Sequence, residues 1–249
     1  EEKIIKRENL VMVTGIGCHG KIFDYLNMNG FYALHGRGLP VAFGLKMANK
    51  NLKVLVFSGD GDLCAEGLSH FIHTCRYNLD ISLFLHQNQV YGLTTGQITP
   101  TSEKGFKGPS NFFEKREEVL NPLLLALLAG ASFVARAFAL DINELKEIAK
   151  RAILHSGFSL VEILQPCITY HNNIAQIQKQ KYYLSSPQDL QGAIEKAREW
   201  DYGSDDKKIP LGIFFEEKKM TFEERFPQLK EPWYLKEKKQ NVDLFKEFK

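Results

Sequence analysis

The stretch from Ser58 to Gln97, SGDGDLCAEG…HQNQVYGLTTGQ, concentrates the side chains whose types and spacing could do chemistry. Gly59, Asp60, Gly61 and Asp62 follow a short apolar run and precede a helical pattern. A glycine-rich turn at such a junction lets backbone N–H groups approach a phosphate at a helix N-terminus. Two acidic residues in the same turn would repel a bare diphosphate. A divalent cation between them removes the conflict, because Mg²⁺ takes carboxylate and phosphate oxygens into one octahedral shell. A second ligand must then come from the neighbouring strand end. Asn88 lies 28 residues after Asp60, just past the apolar run Ile81 to His86, where a βαβ unit returns the chain beside its starting point. Its amide oxygen and the main-chain carbonyl of Val90 would complete the protein's share of the shell.

The elements that must position these residues show in the period of the apolar positions. Leu10 to Thr14 (LVMVT), Leu52 to Phe57 (LKVLVF) and Ile81 to His86 (ISLFLH) are near-continuous apolar runs, as a parallel sheet covered on both faces requires. Between the second and third, Ala65 to Tyr77 puts Leu68, Phe71, Ile72 and Cys75 at helical spacing, with Arg76 and Asn78 closing the helix. Leu120 to Gly130 reads as a helix that tolerates Pro122 in its first turn, followed by a strand at Ser132 to Arg136. Asp141, with Glu144 three residues later, reads as the N-cap of a helix to about His155, before a strand at Phe158 to Leu164. This alternation predicts an α/β fold with a doubly wound, mostly parallel sheet and helices on both faces. Gly92 to Glu118 fits no element, and a loop this long inside a compact domain is usually functional.

Composition sets the bounds. The 249 residues are 44% hydrophobic and 25% charged, which excludes collagen-like and wholly disordered chains. A net charge of +2 gives no global field that would draw nucleic acid or an anionic membrane. The longest near-continuous apolar stretch, Leu123 to Ala135, has 13 residues, short of the ~20 that span a bilayer. Cys18, Cys64, Cys75 and Cys167 are widely separated, which suits a reducing cytoplasm. From Asp205 to Lys249, 21 of 45 residues are charged, yet Ile209 to Phe215 is apolar and Trp233 and Tyr234 are large. An edge strand and a charged arm are expected there. The expected organisation is a cofactor-binding α/β domain over 1–180 and a C-terminal extension over 181–249, packed on the domain or on a partner.

Five segments in order, TGIGCHGK (Thr14 to Lys21), LHGRGLP (Leu34 to Pro40), SGDGD, NQVYGLTTGQ and LQPCITY (Leu164 to Tyr170), resemble the β subunit of 2-oxoacid:ferredoxin oxidoreductases. The resemblance covers roughly residues 9 to 230. It implies thiamine diphosphate and Mg²⁺ as cofactors, and CoA-dependent oxidative decarboxylation of a 2-oxoacid with electrons passed to ferredoxin. Asp60, Asn88 and the Val90 carbonyl are thereby implied for Mg²⁺, with Gly59, Gly61 and Asp62 along the diphosphate. His35, Gly36 and Arg37 match a cofactor-contacting HGR segment, and Gly17 with Cys18 a further contact. Tyr91, Gly92, Leu93 and Thr94 match positions beside the thiazolium and diphosphate. Lys21 falls where the family can place a cation for the substrate carboxylate, so Lys21, Leu93 and Thr94 are the catalytic candidates.

Two departures bear on the assignment. Cys18 and Cys167 match two ligands of a [4Fe–4S] cluster that cluster-bearing members complete with an N-terminal CPGCG segment. This sequence has no CxxC, so either a further segment precedes Glu1 or no cluster is held. In the family the glutamate that activates the aminopyrimidine comes from the α subunit, which makes an α subunit, with γ and δ subunits in larger assemblies, the implied partner. A non-redox thiamine-diphosphate-dependent decarboxylase and a non-catalytic assembly module are the alternatives.

Overall fold

Side chains alternate across a strand, so a strand buried on both faces must feed two cores. The computed structural model, which describes residues 5–203, 206–232 and 235, is built on that rule. In chain order its elements are β1 (Leu10–Thr14), α1 (Ile22–Tyr25), β2 (Asn29–Tyr32), α2 (Gly38–Ala48), β3 (Lys53–Gly59), α3 (Leu68–Tyr77), β4 (Ile81–Gln87), β5 (Val90–Tyr91) and β6 (Gln97–Ile98). There follow α4 (Pro122–Leu128), β7 (Phe133–Phe138), α5 (Ile142–Leu154), β8 (Ser159–Leu164), α6 (Ile174–Gln180), β9 (Lys181–Tyr183), α7 (Leu190–Ala197) and β10 (Ile209–Glu216). The main sheet runs β2-β1-β3-β4-β8-β7-β10-β9. It is parallel from β2 to β7; β10 is antiparallel to β7, and β9 is parallel to β10.

Val13, Val56, Leu83 and Leu160 point to one face of the sheet, where Leu39 of α2, Phe71 of α3, Leu123 of α4 and Ala193 of α7 pack on them. Their strand neighbours Met12, Leu55, Phe84 and Val161 point to the other, covered by Ile148 and Ala152 of α5 and flanked by Ile22 and Phe23 of α1. Helices therefore cover both faces, as the apolar runs predict. Asn121 caps α4 by accepting from Leu124 N at 3.0 Å, ahead of Pro122. Asn78 ends α3 at φ 54°, and its Oδ1 accepts from Ser132 Oγ at 2.6 Å and Phe158 N at 2.9 Å.

Three expectations are corrected. Asp141 precedes α5 but does not cap it; its carboxylate binds Lys181 Nζ at 2.6–2.7 Å and the Tyr183 hydroxyl, pinning β9 instead. The strand over 209–216 is not at the edge, because β9 pairs outside it. The first turn of the helix after β3, Asp62–Glu66, is wound as a π-helix. Trp233, Tyr234 and the charged residues beyond Leu235 lie outside the described residues. Among those described, no helix is long and apolar enough to cross a membrane.

A charged group sits in the middle of the sheet. Arg136 of β7 and Glu162 of β8 are both fully buried. Arg136 Nε donates to Glu162 Oε2 at 2.5 Å and its Nη2 to the Tyr202 hydroxyl at 3.1 Å, while that hydroxyl donates to Glu162 Oε1 at 2.8 Å. Removing one member of a buried pair leaves the other uncompensated, so Arg136→Leu is expected to cost about 3–5 kcal/mol in denaturant unfolding. A second cluster joins α2 to the start of β4: Lys46 and Lys53 donate to the two oxygens of Asp80 at 2.7 and 2.8 Å. Burial pushes the Asp80 carboxyl up, but the two ammonium groups outweigh it and hold the group below its ordinary 3.8. A depressed carboxyl stabilises the fold above its unfolded value, and that stabilisation is lost as pH falls through the folded one. Asp80→Asn is expected to flatten the acid limb of the stability profile below about pH 4, read by unfolding as a function of pH.

Candidate active site

From their carboxyl ends β1 continues toward β2 and β3 toward β4, so the connections diverge and a crevice opens between them. Residues 16–19, 59–62, 88 and 90–94 meet there, with His35, His86 and Gln165. Asp60 is 2% exposed. Its Oδ2 accepts the hydroxyls of Thr99 at 2.6 Å and Thr101 at 2.8 Å, contributed by the long loop after β6. Burial outweighs both hydroxyls and pushes the Asp60 carboxyl up to about 6. The Asn88 N–H also faces this carboxylate, and Asn88 Oδ1 accepts the Val90 N–H at 3.1 Å. Asp60 and Asn88, paired by the 28-residue spacing, thus share one crevice with Val90.

Asp62 also lines the crevice, but its carboxylate is spent on protein. Oδ1 accepts from Gly36 N at 2.7 Å and Ile16 N at 3.2 Å, and Oδ2 accepts from Ser58 Oγ at 2.5 Å. His35 Nδ1 stands 3.1 Å and His19 Nε2 3.6 Å from it, neither with hydrogen-bond geometry. The two glycines of the turn are likewise occupied. A Cβ on Gly61 would stand 2.1 Å from the Tyr91 ring and one on Gly59 2.8 Å from His19 Nδ1. Their lack of side chain admits a tyrosine and a histidine.

Of the residues that the resemblance implies for thiamine diphosphate, Mg²⁺ or substrate, Gly17, Cys18, His35, Gly59, Asp60, Gly61, Asp62, Asn88, Val90, Tyr91, Gly92, Leu93 and Thr94 line the crevice. Three do not. Gly36 turns its N–H to Asp62, the exposed Arg37 donates to Glu66 O at 2.7 Å, and the exposed Lys21 pairs with Asp24 at 2.6 Å. Ile16, His19 and Gln165, which lie inside the five quoted segments but have no role implied for them, also line the crevice, as does His86, outside those segments. Strand parity could have found His86, which shares its face of β4 with Phe84. Burial drives His19 down to about 3 and lowers His86 as well, so both imidazoles are neutral at pH 7. His86 Nδ1 is 2.6 Å from Gln165 Oε1, and Nε2 of both histidines has no hydrogen-bond partner.

Cys18 and Cys167 come together. A Cβ on Gly92 would stand 3.2 Å from one sulfur and 3.5 Å from the other. Cys64 and Cys75 are buried in the core, and among the described residues no group of three or more metal-ligating side chains is assembled.

The chain matches known proteins along most of its length. Residues 15–163 match the family model of the thiamine pyrophosphate enzyme C-terminal TPP-binding domain, and residues 167–231 match that of the C-terminal part of the pyruvate ferredoxin oxidoreductase beta chain. The chain is 40% identical over 235 residues to the β subunit of 2-oxoacid:ferredoxin oxidoreductase 1 of Aeropyrum pernix, covering 88% of this chain and 72% of the relative. It is 37% identical over 240 residues to the 2-oxoglutarate synthase subunit KorB of Archaeoglobus fulgidus, covering 95% and 85%. Among solved structures it is similar to the 2-oxoglutarate:ferredoxin oxidoreductase of Magnetococcus marinus with 2-oxoglutarate, coenzyme A and succinyl-CoA bound. That similarity has a TM-score of 0.83 at 30% identity and covers 89% of this chain and 76% of that one. A thiamine pyrophosphate-binding domain over most of the chain, a following match to the C-terminal part of the pyruvate ferredoxin oxidoreductase beta chain, and a relative 40% identical over 88% of the chain place it in the family of 2-oxoacid:ferredoxin oxidoreductase β subunits.

Proposed function

We propose that the crevice binds thiamine diphosphate through Mg²⁺, and that this chain is the cofactor-holding half of an active site completed by an α subunit. The observation that carries the reading is the convergence of Asp60, Asn88 and Val90. All three offer oxygen, the donor type that Mg²⁺ takes. Asn88 Oδ1 spends one lone pair on Val90 N–H and keeps the other. A divalent cation also supplies the counter-charge that the buried Asp60 lacks among the described side chains. Bound there, the cofactor supplies the electron sink for decarboxylating a 2-oxoacid.

The chain's own residues orient and shield. Leu93 and Thr94 sit on the turn between β5 and β6 at the crevice, where they would fix the cofactor's position. His19 and His86 add neutral imidazoles whose unpartnered Nε2 atoms can hydrogen-bond a ligand. Lys21 and Arg37 are engaged elsewhere, so in this arrangement the cation that receives the substrate carboxylate is left to the α subunit. The crevice encloses about 80 Å³, against the ~300–1,000 Å³ typical of small-molecule sites. A second surface must therefore wall it. CoA as acyl acceptor and ferredoxin as electron acceptor complete the reaction. Cys18 and Cys167 would supply two of the four thiolates that a cluster needs, and the described residues bring no third ligand to them.

The match of residues 167–231 to the C-terminal part of the pyruvate ferredoxin oxidoreductase beta chain favours this reading over a non-redox decarboxylase or an assembly module. Calorimetry of thiamine diphosphate into the chain with its co-expressed partner is expected to show binding with Mg²⁺ and none with EDTA. Asp60→Ala should abolish that binding, and unchanged affinity in a folded variant would remove Asp60 from the metal site. The assembled complex should reduce viologen with a 2-oxoacid and CoA; failure with every 2-oxoacid tried would return the non-redox alternative. The bonds of Asp62 to the loops at 16 and 36 support a loop-positioning role for it. Charge-assisted bonds of this kind contribute about 1.5–3 kcal/mol. Asp62→Ala should therefore speed amide exchange at Ile16 and Gly36 by roughly ten-fold or more, a change that a residue serving only the diphosphate would not produce.

A further inference from the structure

The long loop after β6 fits no element in the sequence, yet it is held firmly against the crevice. We propose that its Thr99 and Thr101 are positioning residues that set the orientation of the Asp60 carboxylate for the cation. The inference rests on the reading of Asp60 as a metal ligand and adds residues that no spacing rule ties to it.

The geometry is specific. Thr99, Thr101 and Asp60 are 1%, 0% and 2% exposed, and both hydroxyls converge on Oδ2, at 2.6 and 2.8 Å. Each hydroxyl has one proton to give. Thr101 Oγ1 also faces Gln87 Oε1 at 2.9 Å, but a carboxylate is the stronger acceptor, so the proton goes to Asp60. Two donors on one oxygen fix the plane of the carboxylate and leave Oδ1 without a side-chain partner among the described residues. Partners of this kind commonly orient metal-ligating carboxylates.

The turn that carries the threonines is itself locked. Ser102 Oγ accepts Thr99 N–H at 2.8 Å and donates to Gln89 O at 2.5 Å. Lys115, 5% exposed, donates its ammonium to Thr99 O at 3.1 Å and Pro100 O at 3.3 Å. Gln89 Nε2 donates to Thr101 O at 3.1 Å. Behind them, Gln87 Nε2 donates to Glu162 Oε1 at 3.2 Å, so the Gln87 amide is held by the buried pair in the sheet.

The test is a calorimetric Mg²⁺ titration of the assembled complex at saturating thiamine diphosphate, with an unfolding transition recorded for each variant. Thr101→Val and Thr99→Val keep the shape and remove the hydroxyl. Each is expected to weaken Mg²⁺ by about ten- to a hundred-fold, and Thr101→Ser and Thr99→Ser should restore it. Should Thr101→Val not fold, the Thr99 pair carries the same comparison. Valine variants that bind Mg²⁺ as the unchanged chain does, or serine variants as weak as valine, overturn the inference while leaving Asp60 as ligand. Absence of Mg²⁺-dependent binding by the unchanged complex overturns the cofactor reading itself, and this inference with it.

Discussion

A carboxylate taken out of water must be surrounded by donors or neutralised, and at the end of β3 this constraint applies twice within three residues. Asp60 and Asp62 are 2% and 3% exposed. Neither is paired with a Lys or Arg among the described residues, and each draws at least two donors from chain far away in sequence. Asp62 gathers the loops at Ile16 and Gly36, and Asp60 gathers Thr99 and Thr101. Two acidic residues in one turn thereby fix three separate loops around a single crevice. The two carboxylates nevertheless end in different states. Asp62 has both oxygens engaged by hydrogen bonds from three segments, whereas side-chain hydroxyls engage only one oxygen of Asp60. That asymmetry distinguishes a structural carboxylate from one still able to take a cation.

The same constraint reaches into the sheet. Glu162 is buried at β8 with Arg136 and Tyr202 around it, and its Oε1 also accepts Gln87 Nε2 at the carboxyl end of β4. Gln87 Oε1 accepts Gln89 N–H at 3.1 Å, and Gln89 Nε2 donates to both Thr101 O and Tyr202 O. A continuous set of polar contacts therefore runs from an ion pair in the sheet to the loop that holds Asp60. Such networks are costly when incomplete and rigid when satisfied. Rigidity is what a metal ligand needs, since a misplaced oxygen loses affinity without any loss of fold.

What is legible in the sequence follows the range of each interaction. Leu10–Thr14 is a strand over the same five residues in which apolar positions run without a break, and Ile81–His86 and Phe158–Leu164 match to within a residue. Asp60 and Asn88 can be paired because both belong to one βαβ unit, whose geometry is local. β2, with the sequence NGFY and mostly exposed, has no apolar run to announce it, and β9 is three residues long. α2 carries Pro40 and Gly44 and is apolar nearly all round, so no face stands out. Asp141 has the sequence context of a cap, but the lysine and tyrosine it binds lie 40 and 42 residues on. Thr99 and Thr101 are hidden for the same reason: only the folded path of the loop brings them to Asp60.

The distribution of charge then argues for the division of labour proposed for this site. The crevice is lined by acidic and amide oxygens and by the neutral imidazoles of His19 and His86. The cations nearest to it in sequence, Lys21 and Arg37, are exposed and turned to Asp24 and to the Glu66 carbonyl. A site of that composition is suited to a hard cation and the phosphates it carries, and poorly suited to an anionic substrate unless positive charge arrives from outside. Its small enclosed volume points the same way, because a wall is missing where substrate would lie. On the proposed reading, a partner that brings both the wall and the cation would complete the crevice in one docking step, and this chain would hold the metal end still.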